Sequence, residues 1–337
     1  MGIHASPTCT MNYDEAVGFL VGEPNRGLPA MFVLMNHMRL MTATQGLGIS
    51  EIAYQNAVRY ARQRRQGRAP SGPRDPEAAA DPILALPDVR RLLLQIRSFN
   101  EAARALLLFT ALQLDLSEHA ADEAQRQAAA DLASLLAPVL KGTITEQAYD
   151  NAVDAQRVFG GSGYISDTGV EQFVRDARVA AIGEGVTAVQ AMDLLRRKLT
   201  RNGGATMTTF MIQIAASLAE GDAARRESFT RPLRRAVADL TSATDWISRA
   251  VHADPDSAAA AAVDYLRLFG SVALGWMWLR IAGTVLARPA VRGTDAATTR
   301  LAVARFYLER LPGETTRRQD RMRAGTGVLA DLSDNQF

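Results

Sequence analysis

Widely spaced helix breakers divide this sequence into long segments in which alanine and leucine dominate. Glycine and proline cluster at 69–76 and 202–204, whereas the chain from 88 to 137 contains neither. Hydrophobic residues make up 47% of the chain and aromatic residues only 6%, which favours long packed helices over sheet. The sequence therefore predicts an all-α protein, long enough for roughly two domains.

The breakers predict an antiparallel four-helix bundle in the first part of the chain. A first helical segment opens near Val21 and runs to about 64, and a second begins near Asp88. Ser117 is expected to cap a continuation toward Leu135, and Thr143 to cap a helix that ends at Phe159. The last long helix of the bundle covers about 168–200, with an interruption at 183–185.

After Asn202-Gly203-Gly204, the remaining chain predicts a second helical domain. Its expected helices lie near 207–219, 232–252, 255–286 and 298–311. Trp276-Met277-Trp278 is interpreted as core or interface packing rather than as a cofactor motif.

Four short patterns that could form one site lie within 35 residues. They are Gln156, the turn Phe159-Gly160-Gly161-Ser162-Gly163-Tyr164, Arg175-Asp176-Ala177-Arg178, and Ile182-Gly183-Glu184-Gly185. A carboxylate between two glycines can approach a substrate without bulky neighbours, which suits a proton-abstracting base. Taken singly, the glutamate is typical of a solvated loop and the glycine turn of a plain helix connection. Together, their order and spacing favour a catalytic site.

These motifs resemble the flavin-bearing helical domain of acyl-CoA dehydrogenases, and Glu184 matches that family's catalytic glutamate. Upstream, Gly22-Glu23-Pro24-Asn25-Arg26-Gly27 resembles the opening of the domain's first helix. The resemblance assigns substrate binding to Arg39, which matches the active-site arginine, and to Gly185.

The same resemblance assigns the cofactor contacts. Arg64 takes the place of the arginine that binds the flavin pyrophosphate, a task that suits a bidentate guanidinium. The full set of expected cofactor-binding residues is Arg64, Gln156, Gly160, Gly161, Val186 and Gln190. Of these, Gln156, Gly160 and Gly161 match residues that serve the adenosine end of the flavin in a neighbouring subunit.

Two positions depart from the family pattern. Gly183 stands where an aromatic residue is common, and Val186 where a threonine usually contacts the flavin. Thr187 or Gln190 is expected to replace that hydrogen bond only in part.

The resemblance also implies a domain organisation. Residues 1–21 resemble the end of a middle β domain, with a short β remnant expected there, and 22–201 the flavin-binding bundle with its catalytic glutamate. Residues 205–337 resemble the additional C-terminal helical domain of the larger bacterial enzymes. We therefore expect a chain truncated at its N-terminus, which holds one side of the cofactor pocket and retains little flavin alone.

The implied activity is FAD-dependent dehydrogenation of a medium- or long-chain acyl-CoA to a trans-2-enoyl-CoA, as in fatty acid β-oxidation. The implied partners are the acyl-CoA substrate, an electron-transfer flavoprotein and further copies of the chain in a homodimer or homotetramer. The alternative is a non-catalytic helical protein that resembles the DNA-binding, alkylation-response branch of these flavoproteins.

Composition narrows the remaining function classes. The single cysteine, Cys9, excludes an internal disulfide and fits a cytoplasmic location. No membrane span is expected. The four histidines do not have the spacing of metal ligands; they are His4, His37, His119 and His252. Arginine clusters such as 225–235 and 317–323 are interleaved with acids, so solvated helix faces are expected rather than nucleic-acid binding.

Overall fold

The computed structural model describes residues 4, 7, 9–220, 223–288, 290, 293–324 and 327–336, and this part of the chain is mostly α-helical. The all-α prediction is confirmed. In chain order the helices are α1 (Gly27–Gln63), α2 (Pro87–His119), α3 (Glu123–Val158), α4 (Val170–Ile182), α5 (Thr187–Asp193), α6 (Ala205–Ala219), α7 (Ala223–Ala253), α8 (Pro255–Ala287), α9 (Asp295–Arg323) and α10 (Val328–Asp331).

The first five helices form the predicted antiparallel four-helix bundle. The fourth member consists of α4, α5 and a π-helical segment, Leu194–Leu199, which continues α5. Near its start, Arg178 lies over the ring of Tyr149 in α3. Near its end, Lys198 Nζ donates to Ser134 Oγ at 2.8 Å, so this member runs antiparallel to α3.

Helix α1 runs parallel to α3, with α2 antiparallel to both. Ser50 of α1 joins Asn151 of α3 through a 2.9 Å hydrogen bond. Further along both helices, the rings of Tyr60 and Phe159 stack with their centroids 4.3 Å apart. Ser50 also donates to Asn100 of α2 at 2.6 Å. A chain of buried polar contacts therefore sets the register of three helices at the middle of the bundle.

The predicted helix starts at Ser117 and Thr143 are wrong. Helix α2 continues through Ser117, and α3 begins after Asp122, whose carboxylate accepts from the backbone N–H groups of Ala124 and Gln125. Thr143 lies inside α3. An interior glycine costs a helix only about 1 kcal/mol, and Gly142 lets α8 approach closely, since a Cβ there would lie 2.8 Å from a methyl of Leu266.

Two prolines also lie inside helices that the sequence predicts to stop or start beside them. Helix α7 includes Pro232, and α9 continues through Pro312 to Arg323. Beyond Pro312, Thr315 is fully buried and donates to Asp239 of α7 at 2.7 Å. Packing between α7 and α9 thus stabilises a helical path that local sequence disfavours.

The hydrophobic core is continuous from the bundle into α6–α9. Trp276 and Trp278 of α8 are buried at 2% and 0% exposure, which confirms their interpretation as core residues. The indole N–H of Trp278 donates to the carbonyl of Ser98 in α2 at 2.9 Å. The division of the chain near 201–205 therefore stays a prediction, because the helices on its two sides share one core.

The expected β remnant forms no strand in the described residues before α1, which are 4, 7 and 9–26. The apolar side chains of this segment are exposed, with Val17 at 88% and Phe19 at 90%. A strand needs a partner for its backbone hydrogen bonds. The segment has none in the described part of the chain, where the only β-type pairing is an isolated bridge between Arg65 and Pro82.

Helix α8 is the one described helix that is long and apolar enough to cross a membrane by length and composition alone. Within the protein, 67% of its most apolar window is buried. It packs against α3, α7 and α9, and Asp264, Arg267 and Arg280 interrupt its apolar character. These contacts are those of a central core helix, which passes the same test as a membrane span.

Candidate active site

The Gly-Glu-Gly motif forms the turn between α4 and α5. Helix α4 ends at Ile182, and both Glu184 (φ 56°) and Gly185 (φ 90°) have left-handed backbone conformations. The positive φ of Gly185 favours glycine, and a Cβ there would also press on Gln190 Nε2 at 3.0 Å. Glu184 is a non-glycine residue at positive φ, which costs on the order of 1 kcal/mol or more unless its surroundings enforce it.

Two fully buried side chains hold this turn from the inside. Lys141 of α3 donates from Nζ to the carbonyls of Ala181 and Gly185 at 3.0 and 2.7 Å. Gln190 of α5 donates from Nε2 to the carbonyls of Glu184 and Gly185 at 2.8 and 3.2 Å. Burial lowers the pKa of Lys141 to about 8, although the carboxylates of Glu146 and Glu184 oppose that shift.

The outer side of the turn carries the proposed base and apolar groups. Glu184 itself is half-buried, and the side chains around it in sequence are exposed and aliphatic: Ile182 (50%), Val186 (43%) and Val189 (52%). The backbone N–H of Glu184 donates to no acceptor in the described part of the chain. The turn therefore presents a carboxylate and a free N–H from a small apolar surface.

Arg39 lies in a buried ion pair. Its Nη1 is 2.6 Å from Asp193 Oδ2, and both side chains are only 6% exposed. Its Nε is buried without a hydrogen-bond partner among the described residues. Arg197 also approaches Asp193, at 3.5 Å. The substrate-binding role of Arg39 stays a prediction, while the contact that is present links α1 to α5.

The predicted contacts to the pyrophosphate and adenosine lie at one end of the bundle, away from the Glu184 turn at its middle. Arg64 follows α1 directly, and Gln156, Gly160 and Gly161 lie at the end of α3, where the stacked Tyr60–Phe159 pair joins the two helices. Fifteen helical residues separate Lys141 from Gln156, which corresponds to about 22 Å. The structure thus groups the predicted site residues into two sets and does not bring them together within one chain.

This second set fits an extended anionic cofactor such as FAD. Arg64 is exposed and has no side-chain partner in the described part of the chain. A Cβ built on Gly160 or Gly161 would meet no atom within 4 Å, so a ligand can approach the backbone closely. Gln156 is half-buried and donates to the carbonyl of Gly163 at 2.8 Å, which shapes the glycine turn.

The side chains expected to compensate for Val186 are both engaged inside the chain. The Thr187 hydroxyl donates to Glu146 at 2.6 Å, and the Gln190 amide donates to the turn carbonyls. Gln190 Oε1 is buried and has no partner among the described residues. The contact of Val186 and Gln190 with a cofactor stays a prediction, and the observed role of Gln190 is to support the Glu184 turn.

A large cleft lies elsewhere, between α2 and α3 on one side and α8 and α9 on the other. Its volume is about 610 Å³, and Glu184 is not among its described lining residues. Several arginines line it, but carboxylates already pair with most of them: Arg157 with Asp154, Arg267 with Glu146, Arg317 with Glu314, and Arg318 with Asp264. Because most of its arginines are already neutralised by carboxylates, the cleft offers little unpaired positive charge to an anionic ligand.

Several arginines of the basic clusters at 225–235 and 317–323 also have partners within the chain. Arg318 and Arg321 both pair with Asp264, and Arg234 pairs with Glu227. Arg226 is buried and donates to the carbonyls of Ser217 and Glu220. These contacts favour the interpretation as ordinary helix faces over a nucleic-acid surface. Among the described residues, no cluster of histidine, cysteine or carboxylate side chains could hold a metal ion.

Sequence reasoning missed Lys141. A signal was present, because Lys141 and Lys198 are the only lysines in a chain whose other basic residues are arginines. A lysine retained inside the alanine- and leucine-rich run of α3 is unusual, since Lys is rarely buried without a partner.

Two family models match the chain. The first, acyl-CoA dehydrogenase C-terminal domain, covers residues 25–199, and the second, acetyl-CoA dehydrogenase C-terminal like, covers residues 210–333. The first match spans more than half of the chain and includes both sets of predicted site residues.

Curated relatives include 3-methylmercaptopropionyl-CoA dehydrogenase of Ruegeria pomeroyi, 41% identical over 90% of this chain and 51% of its own. The broad-specificity linear acyl-CoA dehydrogenase FadE5 of Mycobacterium tuberculosis is 31% identical over 95% of this chain and 55% of its own. The chain therefore spans about half the length of the curated relatives it matches.

Solved structures share the fold at low identity. The acyl-CoA dehydrogenase of Bacillus anthracis complexed with FAD superposes with a TM-score of 0.67 at 13% identity, over 93% of this chain and 51% of its own. Caenorhabditis elegans ACDH-11 in complex with C11-CoA superposes with a TM-score of 0.66 at 21% identity, over 86% of this chain and 45% of its own. The motifs, the helical fold and the family model covering residues 25–199 agree, and the chain belongs to the acyl-CoA dehydrogenase family.

Proposed function

We propose that this chain carries the catalytic base and the FAD-contacting helices of an FAD-dependent acyl-CoA dehydrogenase, which converts an acyl-CoA into a trans-2-enoyl-CoA. The observation that carries the proposal is the Glu184 turn. It combines a carboxylate, a free backbone N–H and an aliphatic surface at a position where two buried side chains enforce an unfavourable backbone angle.

Each part of the turn has a chemical task. The α-proton of a thioester is too weak an acid for a carboxylate in water, so the developing enolate oxygen must be stabilised. The free N–H of Glu184 is suited to donate to that oxygen, while the Glu184 carboxylate accepts the α-proton. Once a bound substrate covers the exposed side chains of Ile182, Val186 and Val189, the exclusion of water strengthens both interactions.

The second set of residues holds the cofactor in this proposal. Arg64 binds the pyrophosphate, and Gln156 with the exposed backbone of Gly160 and Gly161 receives the adenosine end of an FAD bound by a neighbouring copy. When bound, FAD accepts the β-hydride. The match of Gln156, Gly160 and Gly161 to residues that serve the flavin of a neighbouring subunit is the reason why we propose at least a homodimer.

An exposed apolar face of α1 supports self-association. Leu28 (68%), Met31 (44%), Leu34 (60%) and Met41 (62%) recur at helical spacing and remain uncovered by the described part of the chain. A cytoplasmic location and electron transfer to an electron-transfer flavoprotein complete the proposal.

The proposed substrate is an acyl-CoA with an unbranched chain. The relatives are named for 3-methylmercaptopropionyl-CoA and for linear acyl-CoAs, and both have an unbranched α,β carbon pair next to the thioester. A medium or long chain, as in β-oxidation, is the form that we propose here. A panel of linear acyl-CoAs of increasing length, with 3-methylmercaptopropionyl-CoA included, tests that choice by kcat/KM.

Activity is tested in a fusion, because the chain spans about half the length of its relatives. The part of the Ruegeria pomeroyi relative that this chain does not match is joined to it, and the fusion is reconstituted with FAD. Glu184→Gln keeps the size of the side chain but cannot accept a proton, so we expect kcat to fall about a thousandfold or more.

Glu123→Gln serves as the matched control. Glu123 is an exposed carboxylate at the start of α3 that pairs with Arg126 rather than with any residue of the turn, so the activity of this variant should stay near that of the parent. Dehydrogenation by Glu184→Gln within about tenfold of the parent rate, roughly 1.4 kcal/mol of barrier, would reject Glu184 as the base.

A further inference from the structure

The Glu184 turn cannot hold its shape by local preference alone. Glu184 and Gly185 both adopt positive φ, and the turn joins the end of α4 to the start of α5. A non-glycine residue persists in such a conformation only where the surrounding structure enforces it. Whatever supplies that enforcement controls where the Glu184 carboxylate and N–H point.

Lys141 contacts both sides of this junction. Its Nζ reaches the carbonyl of Ala181 in the last turn of α4 at 3.0 Å and the carbonyl of Gly185 at 2.7 Å. Carbonyls at a helix end lack partners within the helix. The single ammonium therefore ties the end of α4 and the centre of the turn to the middle of α3.

The position is an expensive place for a charge. Lys141 is fully buried, and Arg39 adds a repulsive charge nearby. An apolar side chain of similar volume would avoid the desolvation cost. Methionine or leucine could not donate hydrogen bonds to the two carbonyls, one at the end of α4 and one within the turn.

We propose that Lys141 is a positioning residue for the proposed catalytic base, which it serves by fixing the backbone of the Glu184–Gly185 turn. The inference rests on the proposed function of Glu184. Lys141 does not touch substrate or cofactor in this proposal; it acts through the turn.

The expected consequence is a loss of rate more than of binding. Without Nζ, the Ala181 carbonyl loses its side-chain partner, and the Gly185 carbonyl keeps only its bond to Gln190. Glu184 is then free to relax toward negative φ. Substrate contacts elsewhere stay in place, so kcat falls while KM changes little.

Lys141→Met is the test, with Lys198→Met as its matched control. Lys198 is the other lysine of the chain, is partly buried, and donates to Ser134 rather than to the turn. In the FAD-loaded fusion, we expect Lys141→Met to lower kcat about ten- to a hundredfold with KM within about threefold, and Lys198→Met to leave both near the parent values.

A second readout does not need activity. Amide hydrogen exchange of the peptide 181–190, measured on the folded fusion, should be at least about tenfold faster in Lys141→Met and unchanged in Lys198→Met. Should Lys141→Met fail to fold, Lys141→Gln carries the same test, because the shorter amide cannot reach both carbonyls.

Parent-like kcat together with parent-like exchange in the Lys141 variant would overturn the positioning role. So would exchange that rises equally across the whole chain, since that result describes general destabilisation. A failure of the proposed function would look different. Retained activity in Glu184→Gln rejects Glu184 as the base. Loss of activity in Glu184→Gln, together with no effect of Lys141→Met, rejects only the positioning role of Lys141.

Discussion

Removing the carboxylate of Asp193 should reveal how much of the bundle depends on the buried Arg39–Asp193 pair. The two side chains are each 6% exposed and meet at 2.6 Å, so water cannot replace either partner. Asp193→Asn keeps the shape but leaves the Arg39 guanidinium buried beside a neutral amide. Breaking one side of a buried ion pair typically costs about 3–5 kcal/mol.

The structure places the expected value well inside that range. Arg39 Nε is already without a partner in the described part of the chain, and Arg197 loses a neighbouring charge in the same step. We expect Asp193→Asn to lower the free energy of unfolding by about 4 kcal/mol. That is a large fraction of the roughly 5–15 kcal/mol that stabilises a typical domain.

Urea unfolding followed by circular dichroism measures the change, with Asp75→Asn as a control. Asp75 pairs with Arg65, and the two side chains are 41% and 47% exposed, so the loss of this pair should cost less than about 1 kcal/mol. The double variant Arg39→Met with Asp193→Leu should recover most of the lost stability, because no buried charge remains. A cost below about 1 kcal/mol for Asp193→Asn would refute this reasoning and would favour an Arg39 that is free to bind substrate.

Two further predictions concern charge. The pKa of Lys141 lies near 8, below its ordinary value of 10.5, so between these pH values the unfolded chain holds a proton that the folded chain has released. The free energy of unfolding should therefore rise as the pH rises through this window. Measured relative to Lys141→Met, the rise should be at most about 3 kcal/mol. A difference in unfolding free energy between the two proteins that does not change with pH would contradict this prediction. Arg64→Ala should weaken FAD binding to the fusion about ten- to a hundredfold in a fluorescence titration, whereas Arg62→Ala, also exposed near the end of α1, should not. Equal losses in both variants would assign the effect to general basicity.

The sequence predicts the secondary structure well where breakers and hydrophobic runs agree, and poorly where packing overrides them. Helix α8 was expected at 255–286 and is observed at Pro255–Ala287, after the capping residue Asp254. Thr143 resembles a helix start, yet it lies within α3. Its local pattern carries no information about Leu266, which packs against the neighbouring Gly142 from 124 residues away.

The candidate site shows the same division. The motifs alone led to the prediction of Glu184 as the base, since flanking glycines and family spacing are properties of consecutive residues. They could not identify its support. Lys141 reaches Gly185 across 44 residues, and the pairing of Arg39 with Asp193 spans 154 residues.

The sequence by itself determined the helical class, the positions of the main breakers and the family to which the chain belongs, because these depend on residue type and short-range spacing. Only the tertiary structure decided that Arg39 is buried in an ion pair and that Lys141 lies beneath the Glu184 turn. It also decided that one set of predicted site residues lies at the middle of the bundle and the other at one end. These outcomes depend on which helix faces meet in the folded bundle, and a hydrogen bond between distant residues exists only after that packing has brought them together.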